Sequence, residues 1–207
     1  MSSSIRVSIR SGRAVTGRRS TGRQALASAV LAAALSLTAA CGNGSAGAEV
    51  PEGWSELDTA SVTVAHPPEF REQGAAERSK FNAAAATLEE GGRTVAMISV
   101  QLNYTNADSV EEAAIGAEAG IALGSTLKGQ EDLRVAGPEK VRDAKRIDFA
   151  FTSTGEQGTP AKGTRVAGVI VAGLDSNEST YAVRIDAAEG QLSDDELKKI
   201  IDSIAVR

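Results

Sequence analysis

Thiols, imidazoles and large aromatic rings are scarce in this chain of 207 residues, which holds one cysteine, Cys41, one histidine, His66, and one tryptophan, Trp54. A lone cysteine cannot close an intrachain disulfide, and a lone histidine leaves too few nitrogen and sulfur ligands for a zinc site. A nucleophile would have to borrow His66 as its base, and that residue stands beside Pro67-Pro68 and reads as the polar end of a strand. Phosphate-cradling loops are missing as well, since neither Gly91-Gly92 nor the glycines at 116, 120 and 124 lead into Lys-Ser/Thr. No catalytic residue, cofactor or metal is expected, and the domain is not expected to be an enzyme.

Acidic residues are absent before Cys41, where six arginines (Arg6, Arg10, Arg13, Arg18, Arg19, Arg23) stand alone. The whole chain carries −5, so the remainder from Cys41 onward carries −5 − 6 = −11. A domain so acidic is repelled by phosphate, which argues against nucleic acid as a partner and against direct adsorption to an anionic bilayer. Paired acids occur at Glu89-Glu90, Glu111-Glu112 and Asp194-Asp195. They lack the spacing of a calcium loop, and two of the pairs fall in the first turns of expected helices, where the helix dipole accounts for them.

Long hydrophobic runs are also lacking, with one exception. Ala25 to Ala40 is a charge-free run of Ala, Leu and Val broken only by Ser28, Ser36 and Thr38. It falls short of the roughly 20 residues that span a bilayer, and with the basic stretch before it has the layout of a cleaved export signal. Leu37-Thr38-Ala39-Ala40-Cys41 resembles the bacterial lipobox, in which small residues precede a cysteine that receives diacylglycerol before cleavage. The expectation is a signal peptide over 1–40, lipid attachment with palmitate-type acyl chains at Cys41, a flexible tether over 41–50 and one globular domain over 51–207. The anchor would hold the protein on the outer face of the cell membrane, since each buried methylene contributes about 0.8 kcal/mol. Arg18-Arg19 lacks the apolar pair that completes a twin-arginine signal, so the general secretory and twin-arginine routes both stay open.

Within 51–207 the periodicity is that of strands, a helix, more strands and a closing helix. Val62 and Val64 alternate with Ser61 and Thr63 up to the two prolines. Segments from Phe81 to Glu89 and Thr94 to Tyr104 flank Gly91-Gly92, a pair suited to a tight hairpin. In the second arm Ile98, Val100, Leu102 and Tyr104 predict a core face, with Ser99, Gln101 and Asn103 facing water. Ser109 and Glu112 form a capping-box pattern for a helix running to about Leu127, with Val110, Ala114, Ala117 and Ile121 as its apolar stripe and three glycines as a ridge for close packing on a sheet. Three further strands follow, around Ile147 to Phe151, Thr164 to Leu174 and Tyr181 to Ala187, the middle one apolar on both faces and therefore central and covered on both sides. The closing helix has Ser193 and Glu196 as capping box, Leu192 and Leu197 as staple, and Leu197, Ile201 and Ile204 as buried stripe.

This pattern is an α+β fold, an antiparallel β-sheet flanked by helices. From Trp54 to Ile204 the chain resembles the PsbP-like α/β/α sandwich proteins, in particular the LpqN/LpqT type of bacterial lipoprotein. The resemblance is carried by Val62-Thr63-Val64 running into Pro67-Pro68, the helix at Asp108, and the ending Leu197-x-x-Ile200-Ile201-x-Ser203-Ile204. It implies a non-enzymatic accessory module that docks onto a protein partner of the cell envelope. The alternative is a carrier for a lipid or other hydrophobic ligand, suggested by the small residues Ala83 to Ala86, Ala96, Gly168 and Gly173, which would line a cavity if the sheet curves.

Overall fold

The computed structural model describes residues 48–121, 124–156 and 159–207. The signal segment, Cys41 and most of the tether lie outside the described residues.

Two antiparallel sheets make up the domain. The smaller has strand order β1 (Ser55–Asp58), β2 (Val62–His66), β10 (Ala205–Val206), so the end of the chain returns to pair with an early strand. The larger has seven strands in the order β3 (Arg71–Glu72), β4 (Ala84–Glu90), β5 (Arg93–Leu102), β9 (Thr180–Ala188), β8 (Arg165–Leu174), β7 (Arg142–Thr152), β6 (Thr126–Val135). The β4–β5 hairpin closes at Gly91-Gly92, whose φ values of 57° and 76° are the left-handed geometry that a two-residue turn requires and glycine supplies without strain. The meander β7–β8–β9 has the expected order, and β8 lies inside the sheet, buried along nearly its whole length.

Helix α1 (Val110–Ala119) covers one face of the large sheet, seating Ala114 and Ala117 on Ile147, Phe149 and Ile170. The other face is covered by the small sheet together with α2 (Asp194–Asp202). Leu57, Val62 and Val64 from the small sheet and Ile200, Ile201 and Ile204 from the C-terminal segment meet Ile98, Val100, Val183 and Ile185 there. A helix alone was expected on each side; here a second sheet shares the work, because β2 is buried along its whole length and supplies an apolar surface of its own.

Both N-caps form as the sequence predicts. Ser193 Oγ accepts from the Glu196 N–H at 3.2 Å, and the Glu196 carboxylate accepts from the Ser193 N–H at 2.8 Å. Ser109 Oγ accepts from the Glu112 N–H at 3.2 Å, while the Glu112 carboxylate reaches one residue further back, to the Asp108 N–H. At the C-termini the prediction overran. Helix α1 ends at Ala119, capped by Gly120, and Thr126 and Leu127 already belong to β6. Gly124, at φ +90°, stands where no right-handed helix can continue. The ridge glycine Gly116 admits Thr105 rather than the sheet, since a Cβ there would lie 2.8 Å from Thr105 Cγ2. Ile204 is fully buried but lies past the end of α2, in the turn into β10.

The alternation along β5 also breaks where the sequence predicted continuity. Asn103 has φ +52°, which reverses the phase of the chain, so Tyr104 leaves the face of Ile98 and Val100 and joins the α1 side, donating its hydroxyl to the Ala113 carbonyl at 2.6 Å. Ser99, expected in water, is buried, because the α1 side of the sheet is covered at that point.

Candidate functional site

Residues directly opposite one another in neighbouring antiparallel strands point to the same face. On the α1 side, one such row runs Thr87 (β4), Met97 (β5), Asp186 (β9), Gly168 (β8), Phe149 (β7). Asp186 therefore has a thioether on one side and a bare glycine on the other, with no cation directly across from it. Its counterion comes from its own strand: Arg184, two residues back and on the same face, donates Nε–H to Asp186 Oδ2 at 2.8 Å. The Arg184 guanidinium also lies over the Phe149 ring, 4.9 Å from its centroid, and donates from Nη1 to the Gly120 carbonyl. Phe149 can lie flat there because Gly168 has no side chain; a Cβ at 168 would sit 2.2 Å from Phe149 Cζ.

Arg184 is thus held on several sides, and only one oxygen of Asp186 is paired. Oδ1 is buried and accepts no hydrogen bond among the described residues. Burial pushes the Asp186 carboxyl above the ordinary aspartate value of 3.8, and Arg184 pulls the other way without cancelling the effect.

Asp186 lines a cleft of about 430 Å³ on this face, which α1 leaves open. Val95, Met97 and Val166 supply apolar wall from β5 and β8, and Phe151, stacked 6.2 Å from Phe149, continues it from β7. The opposite lip is formed by residues 153–156 and 159–160 of the β7–β8 connection, which hydrogen bonds among them fasten. Ser153 Oγ donates to the Pro160 carbonyl at 2.7 Å and accepts from the Gly155 N–H at 3.2 Å, and Thr159 Oγ1 donates to the Glu156 carbonyl at 2.7 Å. Gly155 is required here: its φ is +79°, and a Cβ would meet Lys162 at 2.7 Å. A cleft of this volume, mostly apolar with a few polar groups converging in it, has the form of a small-molecule site.

The residues singled out from the sequence go elsewhere. His66 ends β2, buried, with Nδ1 donating to the Pro67 carbonyl at 3.0 Å, Nε2 3.7 Å from Glu72 Oε1 and its ring beside Phe70. It does not line the cleft. Glu89 faces Arg71 and Glu111 faces Lys145, while Asp194 and Asp195 occupy the first turn of α2. Among the described residues no group of three or more His, Cys, Asp or Glu side chains is arranged to hold a metal.

The small residues expected to line a lipid cavity do not do so, apart from Ala96. The Phe149 ring fills the space above Gly168, the Tyr181 ring closes over Gly173, where a Cβ would lie 3.0 Å from its hydroxyl, and Ala84 to Ala86 are packed in the core. The cleft lies at the neighbouring end of the same sheet.

One prediction follows from the carboxyl. A raised folded-state pKa means that the folded protein holds the proton more tightly than the unfolded chain, so stability is lost as pH rises through the ordinary aspartate value and then the raised one. Asp186→Asn removes that loss and keeps an oxygen for Arg184. Urea unfolding at successive pH values should show the variant gaining on the wild type as pH rises through the range in which the Asp186 carboxyl ionises, and the more stable of the two at neutral pH. A clear loss of stability at neutral pH would instead make Asp186 a structural anchor for Arg184.

No known family matches the sequence, and no curated protein matches it. Among solved structures, the chain is similar to the Ran-binding protein Mog1p of Saccharomyces cerevisiae, at 11% identity and a TM-score of 0.46 over 73% of this chain and 94% of that one. A mutant of Mog1 gives 12% identity and a TM-score of 0.45 over the same shares. A protein of Bacteroides thetaiotaomicron gives 13% identity and a TM-score of 0.39 over 70% of this chain and 45% of that one. At such identities and scores, the Ran binding named for Mog1p stays with that protein.

Proposed function

We propose that this chain is a lipoprotein held on the outer face of the cell membrane through Cys41, and that its domain is a non-enzymatic binding module of the envelope whose working site is the Asp186 cleft. The observation that carries the site is the buried, unpartnered Oδ1 beside an apolar cleft of about 430 Å³. An unpaired buried acceptor costs stability, of the order of 1–3 kcal/mol, and local violations of this kind concentrate at functional sites. The near absence of imidazole and thiol supports binding over turnover, since few groups are poised for proton transfer near neutral pH.

Of the two classes drawn from the sequence, a protein-docking module and a carrier for a lipid or other hydrophobic ligand, the cleft favours ligand binding, with a smaller and more polar ligand than the carrier reading named. Of the large exposed hydrophobics among the described residues, Val50, Phe81, Ile115, Leu127 and Val141, none lines the cleft. A ligand site of this volume suits a small molecule better than a two-chain lipid. The test is native mass spectrometry of the protein extracted from membranes, compared with Val95→Trp. Val95 is half-buried at the cleft wall, so the larger ring fills the cleft without displacing the core. The wild type should retain a bound small molecule and the variant should lose it.

A further inference from the structure

The groups facing the cleft are unbalanced in a way that specifies its ligand. Its charged lining residues are both acids, Asp186 and the exposed Glu156, and no lysine or arginine is among the described residues that line it. Arg184, the counterion of Asp186, is already engaged by Asp186 Oδ2, the Gly120 carbonyl and the Phe149 ring. The lip hydroxyls have likewise spent their hydrogens, Ser153 on the Pro160 carbonyl and Thr159 on the Glu156 carbonyl, so they can offer the cleft only lone pairs. The remaining hydroxyls of the lining, on Thr94, Thr152 and Thr154, are neutral, so among the described residues the site holds two acids and no base. An anion would be repelled, and a hydrocarbon would leave Oδ1 as it is.

Resting on the reading of the cleft as a ligand site, we infer that it takes small organic cations, with an apolar body against Val95, Met97, Phe151 and Val166 and a protonated amine donating to Asp186 Oδ1. A charge-assisted N–H···O bond is the contact that satisfies a buried carboxylate oxygen best. Oδ1 is screened from water, and the side chain directly across from it is Met97, unbranched and half-buried on β5. Its flexible thioether is the element that moves aside as the amine enters. The volume accommodates a ring with a short amine arm.

The test uses three water-soluble probes that share one ring and differ in charge: benzylammonium, benzyl alcohol and benzoate. Each is titrated into the full, membrane-extracted protein in nanodiscs, with empty nanodiscs as the partition control. Benzylammonium should bind at least about tenfold more tightly than benzyl alcohol, and benzoate should not bind. Asp186→Asn should abolish the preference for the ammonium, and Val95→Trp should abolish binding of both. Equal binding of ammonium and alcohol to the wild type, which needs no variant to read, would overturn the ligand class and leave the cleft as a binding site. The same holds for a preference that survives Asp186→Asn. Absence of binding by all three probes would overturn the cleft reading itself, and the cation inference with it.

Discussion

Replacing Ile201 with aspartate is expected to unfold the domain, whereas Lys199→Asp, two positions away on the same helix, should cost less than about 1 kcal/mol. The two positions differ in what they touch. Ile201 and its neighbour Ile200 are buried where α2, β2 and the large sheet meet, and the same cluster holds Val62, Val64, Ile98 and Val183. Lys199 is exposed. An unpaired carboxylate in that contact faces desolvation with no donor nearby, a cost of several kcal/mol against a total stability of about 5–15 kcal/mol. Thermal unfolding by circular dichroism distinguishes the two: loss of the cooperative transition for Ile201→Asp and a shift of a few degrees for Lys199→Asp. Equal shifts would mean that α2 turns the other face to the core.

That helix was legible because its signals agreed: capping box, staple and a stripe at helical spacing all pointed to one register. The hairpin at Gly91-Gly92 and the meander β7–β8–β9 were legible for a related reason: β5, β7 and β9 alternate with period two, β8 is a continuous apolar run, and turn residues bound them. Strand β6 was not. Its residues, Thr126 to Val135, are polar on both sides because it is the edge of the sheet and exposed on nearly every position, so no alternation marks it. With β6 unseen, nothing stopped α1 from being extended to Leu127. The short strands β1, β3 and β10 carry too few residues for any period to show.

The cleft was missed for a related reason. Asp186 alternates with Ile185 and Ala187, and alternation assigns a charged residue to the water side. The signal that could have placed it correctly lies on its neighbour. Strand β8 is apolar on both faces, so both faces are covered, and the charged pair on β9 beside it is then half-buried under that cover. The cleft itself depends on where α1 stops and how the β7–β8 connection folds back, and neither is set by a local pattern.

The other large effect concerns Cys41, and it is all or none. The chain has no second thiol, so Cys41→Ala leaves no acceptor for a diacylglyceryl group, and the precursor should accumulate unlipidated and uncut. Metabolic labelling with an alkyne fatty acid should mark the wild type and leave the variant blank. A label retained by Cys41→Ala would end the lipoprotein reading. When the variant domain is exported instead behind an ordinary signal peptide, its fold should be unchanged but its effect lost, because a site tethered to the membrane meets its ligand or partner there at high local concentration. Full rescue of a deletion phenotype by the freely secreted domain would contradict the need for the anchor.

The most direct test of an anchored domain that works by binding is the native mass spectrum of the wild-type protein drawn from its own membranes, since one spectrum reads both halves of the claim. The expected spectrum has a chain beginning at Cys41 with the mass of its acyl chains, accompanied by a second species heavier by one small, non-covalently held molecule that is released on collisional activation and is absent in Val95→Trp. A full-length chain with no added acyl mass, or a mature lipoprotein that carries no small molecule under any membrane source, would contradict it.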